Sequence, residues 1–265
     1  MTTKFGSNSG SAREGIADAD SRRLQRLNLA AGFAHLLQGL AMLALSNGIS
    51  LPVTASFGNG PPGQPLRPPV IDELFTYRLG WAVASFSLLS ALFHFLVASP
   101  RVRSRYLADL ARHLNGFRWV EYSLSSSLMV VLIAGITAIT DAAALLALFG
   151  VNASMILFGW LMETTNTASE RVDWTPFAFG CVAGVVPWAA VVIYLVGAGG
   201  DVPGFVYGIF VSLFLLFNCF AVNQWLQYRG NGRWSDYLYG ERVYIWLSLI
   251  AKTLLAWQIF ANILV

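Results

Sequence analysis

The sequence predicts an all-α membrane protein, a seven-transmembrane helix bundle, and three observations predict it. The composition is 56% apolar with only 12% charged residues, too few polar groups to coat a water-exposed surface. Seven stretches of about 20 residues are nearly free of charge, long enough to cross a hydrocarbon layer of about 30 Å. These stretches lack the alternation of a membrane β-barrel strand. Backbone amides in lipid must pair within their own segment, so each stretch reads as a helix.

The spans run 28–46, 79–98, 119–140, 142–162, 174–198, 202–228 and 243–265. Residues 1–21, MTTKFGSNSGSAREGIADADS, hold no apolar run ahead of a cleavage site. They read as a disordered polar tail and not as a signal peptide, which leaves 22–265 as the transmembrane domain. The long loop between the first two spans contains GNGPPG and QPLRPP. The β-branched run ISLPVTASF precedes them, so this loop reads as a short β-hairpin over the outer face or as an irregular solvated segment.

Orientation follows from the basic residues, because positively charged loops stay cytoplasmic. Lys4, Arg13, Arg22, Arg23, Arg26, Arg101, Arg103, Arg105, Arg112, Arg118, Arg171, Arg229, Arg233 and Arg242 all fall on the side of the N terminus. Only Arg67 and Arg78 fall opposite. The expected orientation is N terminus cytoplasmic, C terminus extracellular, in the cell membrane. A net charge of +3 is too small to suggest nucleic acid, and two cysteines exclude a disulfide scaffold or a multi-Cys zinc site.

Two residues inside the spans carry a full charge, Glu121 and Lys252. A lone charge in lipid costs several kcal/mol, so such residues face the bundle interior and pair. Lys252 is too deep in span seven to snorkel, and Ser248 and Tyr244 continue a polar stripe from it toward the cytoplasm. A buried amine loses proton affinity and can form an imine with an aldehyde. The plain alternative is a structural lysine held by carbonyls or by Glu121. If the third helix begins near Arg112, Glu121 lies about 14 Å along it, with Ser125 on its own face. Its alternative is an interfacial carboxyl paired with Arg118 one turn away.

His35 shares a face with Gln38 and Met42, and His94 follows Ser87 and Ser90. A single buried histidine is usually a hydrogen-bonded core residue, but two at similar depth with a carboxylate suggest a polar cytoplasmic cavity. His113, in the Arg-rich loop, receives no role. Gly180 and Gly184 permit close helix packing, within the bundle or between protomers. Asn152 and Ser154 match a glycosylation sequon that a span would hide. Cys181 and Cys219 are expected to be buried and inert.

A single mid-span lysine in the last of seven helices resembles the retinal-binding microbial rhodopsins. FAHLLQ (33–38), SALFHF (90–95), FRWVEYSLSSS (117–127), LLALFGVNASMILFGWL (145–161), VPGFVYGI (202–209), LSLIAK and AWQIF (247–260) are similar to the heliorhodopsins over nearly the whole chain beyond the tail. That resemblance implies a cytoplasmic N terminus and all-trans retinal bound covalently to Lys252 as a protonated Schiff base, with Glu121 as counterion. Arg118-Trp-Val-Glu121 keeps the Arg-x-x-acid spacing of rhodopsins, while Ser248 stands where ion pumps usually carry Asp. His35 and His94 match the family's cavity histidines, and Tyr122, Met155, Phe217 and Gln224 match positions along the polyene. The family also implies a homodimer.

The expected function is light sensing without net ion pumping and without enzymatic activity or a metal. Isomerisation would shift a proton into the cytoplasmic-side cavity, and a separate signalling partner would read the change. A light-driven proton transporter or channel is the alternative. It is disfavoured because the outer halves of the spans hold no Asp, Glu or His, with Asp141 and Asp201 only at their boundary. A retinal-free transporter with a Lys-to-Glu gate is a third reading.

Overall fold

A computed structural model of the chain describes residues 16–58, 60–61, 69–167, 169 and 171–265. Residues 1–15 of the stretch read as a tail, with Lys4 and Arg13, lie outside the described residues, as does Arg67. The first helix, α1 (Asp18–Leu45), begins inside that stretch. Asp18 and Asp20 occupy its first turn, where carboxylates complement the positive end of the helix dipole. Residues 18–21 are therefore helical, and Ser21 is buried.

Strands β1 (Ser50–Phe57) and β2 (Val70–Arg78) form an antiparallel hairpin with Ser50 opposite Arg78 and a register shift between Val53 and Thr54. The β-branched run thus forms a strand. Val53 points into the bundle, and Thr54 is tied to the α4–α5 connection: its amide donates to Thr140 O at 2.8 Å, and the two hydroxyls lie 3.0 Å apart.

The other helices are α2 (Leu79–Ala98), α3 (Pro100–Leu110), α4 (Gly116–Ile136), α5 (Ala142–Asn166), α6 (Thr175–Gly197), α7 (Gly204–Arg229) and α8 (Tyr237–Ile259). All except α3 are long and apolar enough to cross a membrane, seven in total with α1 among the described residues. The chain is a multi-pass membrane protein, a helical bundle carrying one two-stranded sheet. Its boundaries follow capping chemistry: the side chains of Asn115, Asp141 and Asp236 accept amide hydrogens in the first turns of α4, α5 and α8. Gly230, at φ 61°, ends α7 in the left-handed conformation that glycine adopts without strain. After α8 a π-helical turn covers Phe260–Leu264, and Asn47 donates to the carbonyls of Leu264 and Ile263, both at 3.0 Å.

Around the bundle α1 packs on α2, α2 on α4, α4 on α5, α5 on α6, and α7 on α8, which returns to α1. Between α6 and α7 the Trp188 ring meets Phe210, Phe214 and Phe217 edge-on at 5.4–5.7 Å. The hairpin-side half of the interior is apolar, with Met42, Leu79, Phe86, Met129, Leu255 and Ile259 fully buried. Gly180 and Gly184 face Phe158 and Met155, so the small-residue pair serves packing inside the bundle. Cys181 and Cys219, expected to be buried, are exposed, and Cys181 also lines the slot between the helices.

Helix α3 replaces what reads in sequence as an Arg-rich loop. Pro100 at its first turn needs no amide partner, and Tyr106 and Leu110, one turn apart, are buried. Where α5 meets α4, a Cβ on Gly159 would stand 2.4 Å from the Trp119 ring. That ring cannot move aside, because its Nε1 donates to Glu163 at 2.7 Å. Gly159→Ala is expected to destabilise the bundle by about 1–3 kcal/mol, seen as a lower Tm in a melt followed by circular dichroism. An unchanged Tm would show that the indole has slack.

Candidate functional site

The fourth helix starts at Gly116, later than the Arg112 start read from sequence, because the Asn115 side chain caps it by accepting from the Arg118 amide at 3.0 Å. Glu121 is therefore about 8 Å along α4, at about 1.5 Å per residue, and nearer its N-terminal end. It is buried, as is Lys252 on α8. The Lys252 Nζ donates to Glu121 Oε1 at 2.7 Å and to Ser248 Oγ at 2.8 Å, and it lies 5.2 Å from the centre of the Tyr122 ring. Ser90 Oγ donates to the same carboxylate oxygen at 2.6 Å. Gln38, on the face of α1 shared with His35, donates to Ser87 Oγ at 2.8 Å and so closes the α1–α2 side of the pair.

This pair separates two cavities. On one side a slot of about 210 Å³ runs between α4, α5, α6, α7 and α8. Lys252 and Ser248 stand at its α8 wall, and Tyr122, Met155, Phe217 and Gln224 line it. Trp188 adds another aromatic wall. Gln224 is pinned by its donation to Gly159 O at 3.0 Å, and Tyr122 by its donation to Tyr244 O at 2.8 Å. A Cβ on Gly184 would meet Met155 Sδ at 2.7 Å, so the slot's α5–α6 wall depends on glycine there. The walls are overwhelmingly aromatic and aliphatic, which suits an apolar ligand. Filling such a volume with a matching apolar group is worth about 5 kcal/mol, at about 24 cal/mol per Å³.

On the other side, toward the N-terminal face, lies a cavity of about 40 Å³, room for about three waters. Glu121, His94, Asn28, Tyr106, Asn115, Arg118 and Glu241 line it. His94 Nδ1 is 2.8 Å from Asn28 Oδ1, while the Asn28 amide donates to Leu24 O at 3.0 Å. Asn28 therefore presents its oxygen, the His94 proton sits on Nδ1, and Nε2 keeps a lone pair. His35 does not line this cavity. It stacks on His94 with ring centres 5.6 Å apart, and both its nitrogens are buried without a partner among the described residues.

Sequence reasoning finds two buried charges; the structure buries three more, Arg118, Glu163 and Glu241. Arg118 pairs with both glutamates and not with Glu121. Its guanidinium also lies 4.0 Å from the Tyr244 ring centre and 4.6 Å from that of Trp119. Glu163 accepts from the Asn115 amide at 2.9 Å, from Trp119 and from Tyr237 Oη at 3.1 Å, and Glu241 from Asn115 Nδ2 at 2.6 Å. The signal was present in sequence: Arg118, Glu163 and Glu241 each stand one or two residues outside a span drawn to exclude charge. Asn152, the sequon residue, is buried and donates to Ser126 and Ser127 at 2.9 and 3.0 Å. His113 stacks on Tyr237 at 4.8 Å, over this ion cluster.

The family model described as Heliorhodopsin matches residues 24–264. No curated protein is matched. Among solved structures, the cyanorhodopsin of Tolypothrix sp. NIES-4075 superposes with a TM-score of 0.64 at 10% identity, over 94% of this chain and 96% of that one. The light-driven proton pump LR (Mac) of Leptosphaeria maculans gives 0.60 at 14% identity, over 92% and 95%. The red light-activated channelrhodopsin Chrimson gives 0.57 at 14%, over 94% and 83%. At these identities the structural matches speak for the fold alone.

Proposed function

This chain belongs to the heliorhodopsin family of retinal proteins, and from that premise we propose that it is a light sensor with all-trans retinal joined to Lys252 and Glu121 as the counterion. The observation that supports this reading is the amine–carboxylate pair at the wall of the 210 Å³ aromatic slot. The residues fit the group: an amine for an imine, an anion 2.7 Å from it, and apolar walls for a polyene. When bound, retinal supplies light absorption and isomerisation about a double bond.

The chain's own residues then do the rest. Glu121, steadied by Ser90, balances the positive nitrogen and is the nearest acceptor when that nitrogen gives up its proton. His94, with Nε2 open toward the small cavity, is the next. Arg118 is held by Glu163 and Glu241 and so stays out of the exchange. The apolar hairpin-side half of the bundle offers no onward acceptor among the described residues, so the proton returns instead of crossing. By the arginine distribution the small cavity opens toward the cytoplasm and the hairpin lies outside.

The test is an absorption spectrum of the purified protein before and after all-trans retinal is added. A visible band is expected only after addition. In Glu121→Gln the band is expected at longer wavelength, because an anion beside the cation stabilises the ground state more than the excited state. An unshifted band would remove Glu121 from the counterion role. A light-induced pH change in a cell suspension, abolished by a protonophore, would replace sensing with transport.

A further inference from the structure

We propose that α3 is the element that carries the light signal out of the bundle, with Tyr106 as its internal lever and an acidic protein face as its partner. The proposal rests on the light-sensor reading and adds the output surface to it.

The internal half of the argument is a chain of side chains. Tyr106 is the one α3 residue that lines the 40 Å³ cavity, which it shares with Glu121 and His94. Asn28 and Glu241 line the same cavity as its phenol ring. Burial, and then the Glu241 carboxylate, hold that phenol well above the usual tyrosine range. Tyr106 therefore stays protonated and can respond only by reorienting. Asn28 also accepts from His94 Nδ1. When His94 takes a second proton at Nε2, its Nδ1–H becomes a charge-assisted donor and binds the Asn28 oxygen more strongly. The Tyr106 hydroxyl, in the same cavity, then reorients away from the new positive charge and toward the Glu241 carboxylate.

The external half is the opposite face of the same helix. α3 packs chiefly on α2 and is bounded by Ser99-Pro100 and by the short link to α4. In that link His113 stands at φ 60°, a left-handed conformation that costs a side-chain-bearing residue energy. Arg101, Ser104, Arg105 and Arg112 form its exposed stripe. Asp109 pairs with Arg105 at 4.0 Å and with Arg112, leaving the stripe net positive. Between Ser99 and Arg118 no large apolar side chain is exposed, so this face is built for water and opposite charge and not for insertion among acyl chains. A shift of Tyr106 on one side of α3 alters the presentation of these guanidiniums on the other.

The experiment uses the full chain, loaded with retinal and reconstituted in zwitterionic nanodiscs. Hydrogen exchange of residues 100–112 is followed in the dark and under continuous light, in wild type and in Tyr106→Phe, in samples matched for visible absorbance. Exchange is expected to rise by at least about threefold in light for wild type and to stay level in the variant, which keeps the ring but not the hydroxyl. If exchange stays level in wild-type protein whose visible band bleaches normally, α3 is not the output and the proposal falls. If no band forms at all, the failure lies with the light-sensor reading itself. For the partner, fluorescent poly-glutamate is titrated onto wild type and onto R101Q/R105Q/R112Q. A loss of about tenfold in affinity is expected from removing three contacting charges. Equal affinity would remove the stripe as the binding face. Dependence of α3 protection on anionic lipid, with no response to poly-glutamate, would overturn the protein partner.

Discussion

Lys252→Ala protein is expected to show no visible band after all-trans retinal is added, because no other amine lies at the slot among the described residues. Among the residues that line the cavity, Lys252 alone offers a primary amine. The substitution has a second effect that has to be separated from the first. Glu121 and Lys252 are both buried, and removing the cation leaves a carboxylate with only Ser90 as donor. Such an orphaned charge costs about 3–5 kcal/mol, enough to unfold a marginal membrane domain. The decisive sample is therefore Lys252→Ala combined with Glu121→Gln, where the uncompensated anion is gone. Its helical circular dichroism should match wild type while the visible band stays absent. A band of wild-type position in that double variant would refute attachment at Lys252.

Arg118→Leu is expected to lower stability by about 3–5 kcal/mol, the largest loss predicted for any single substitution outside the slot. One guanidinium neutralises two buried carboxylates, Glu163 and Glu241, from two other helices. Removing it forces two like charges to face each other in a water-poor interior and ends the stacking on Tyr244 and Trp119. Denaturant unfolding in detergent, followed by circular dichroism, measures the loss. Arg118→Lys keeps the charge but not the two-pronged fork, so it should recover only part of the stability. If Arg118→Leu melts with wild type, the cluster contributes nothing to holding α4, α5 and α8 together.

These cases show what was legible in sequence. Lys252 in mid-span and Glu121 near the start of its span stand out because each is the lone charge in an otherwise uncharged apolar run. Apolar run length places the seven helices correctly for the same reason. Arg118, Glu163 and Glu241 were invisible to that logic: they are buried near the ends of helices, Arg118 and Glu241 at the start and Glu163 at the finish, where the helix continues beyond the apolar run. Their mutual neutralisation is a property of three helices brought together, which no single segment encodes. Helix α3 was hidden differently, its arginines outweighing the one-turn spacing of Tyr106 and Leu110. His35 and His94 sit together as their depth suggested, yet only His94 reaches the cavity, because stacking places one ring behind the other.

The packed apolar half beneath the hairpin carries an electrical consequence for the proposed light sensor, which would act as a capacitor and not as a wire. On the proposed light-sensor reading, a flash displaces charge toward the N-terminal face, and that charge then returns. An electrode across the membrane is expected to register a brief inward and return deflection that integrates to zero over each complete cycle, however bright the lamp.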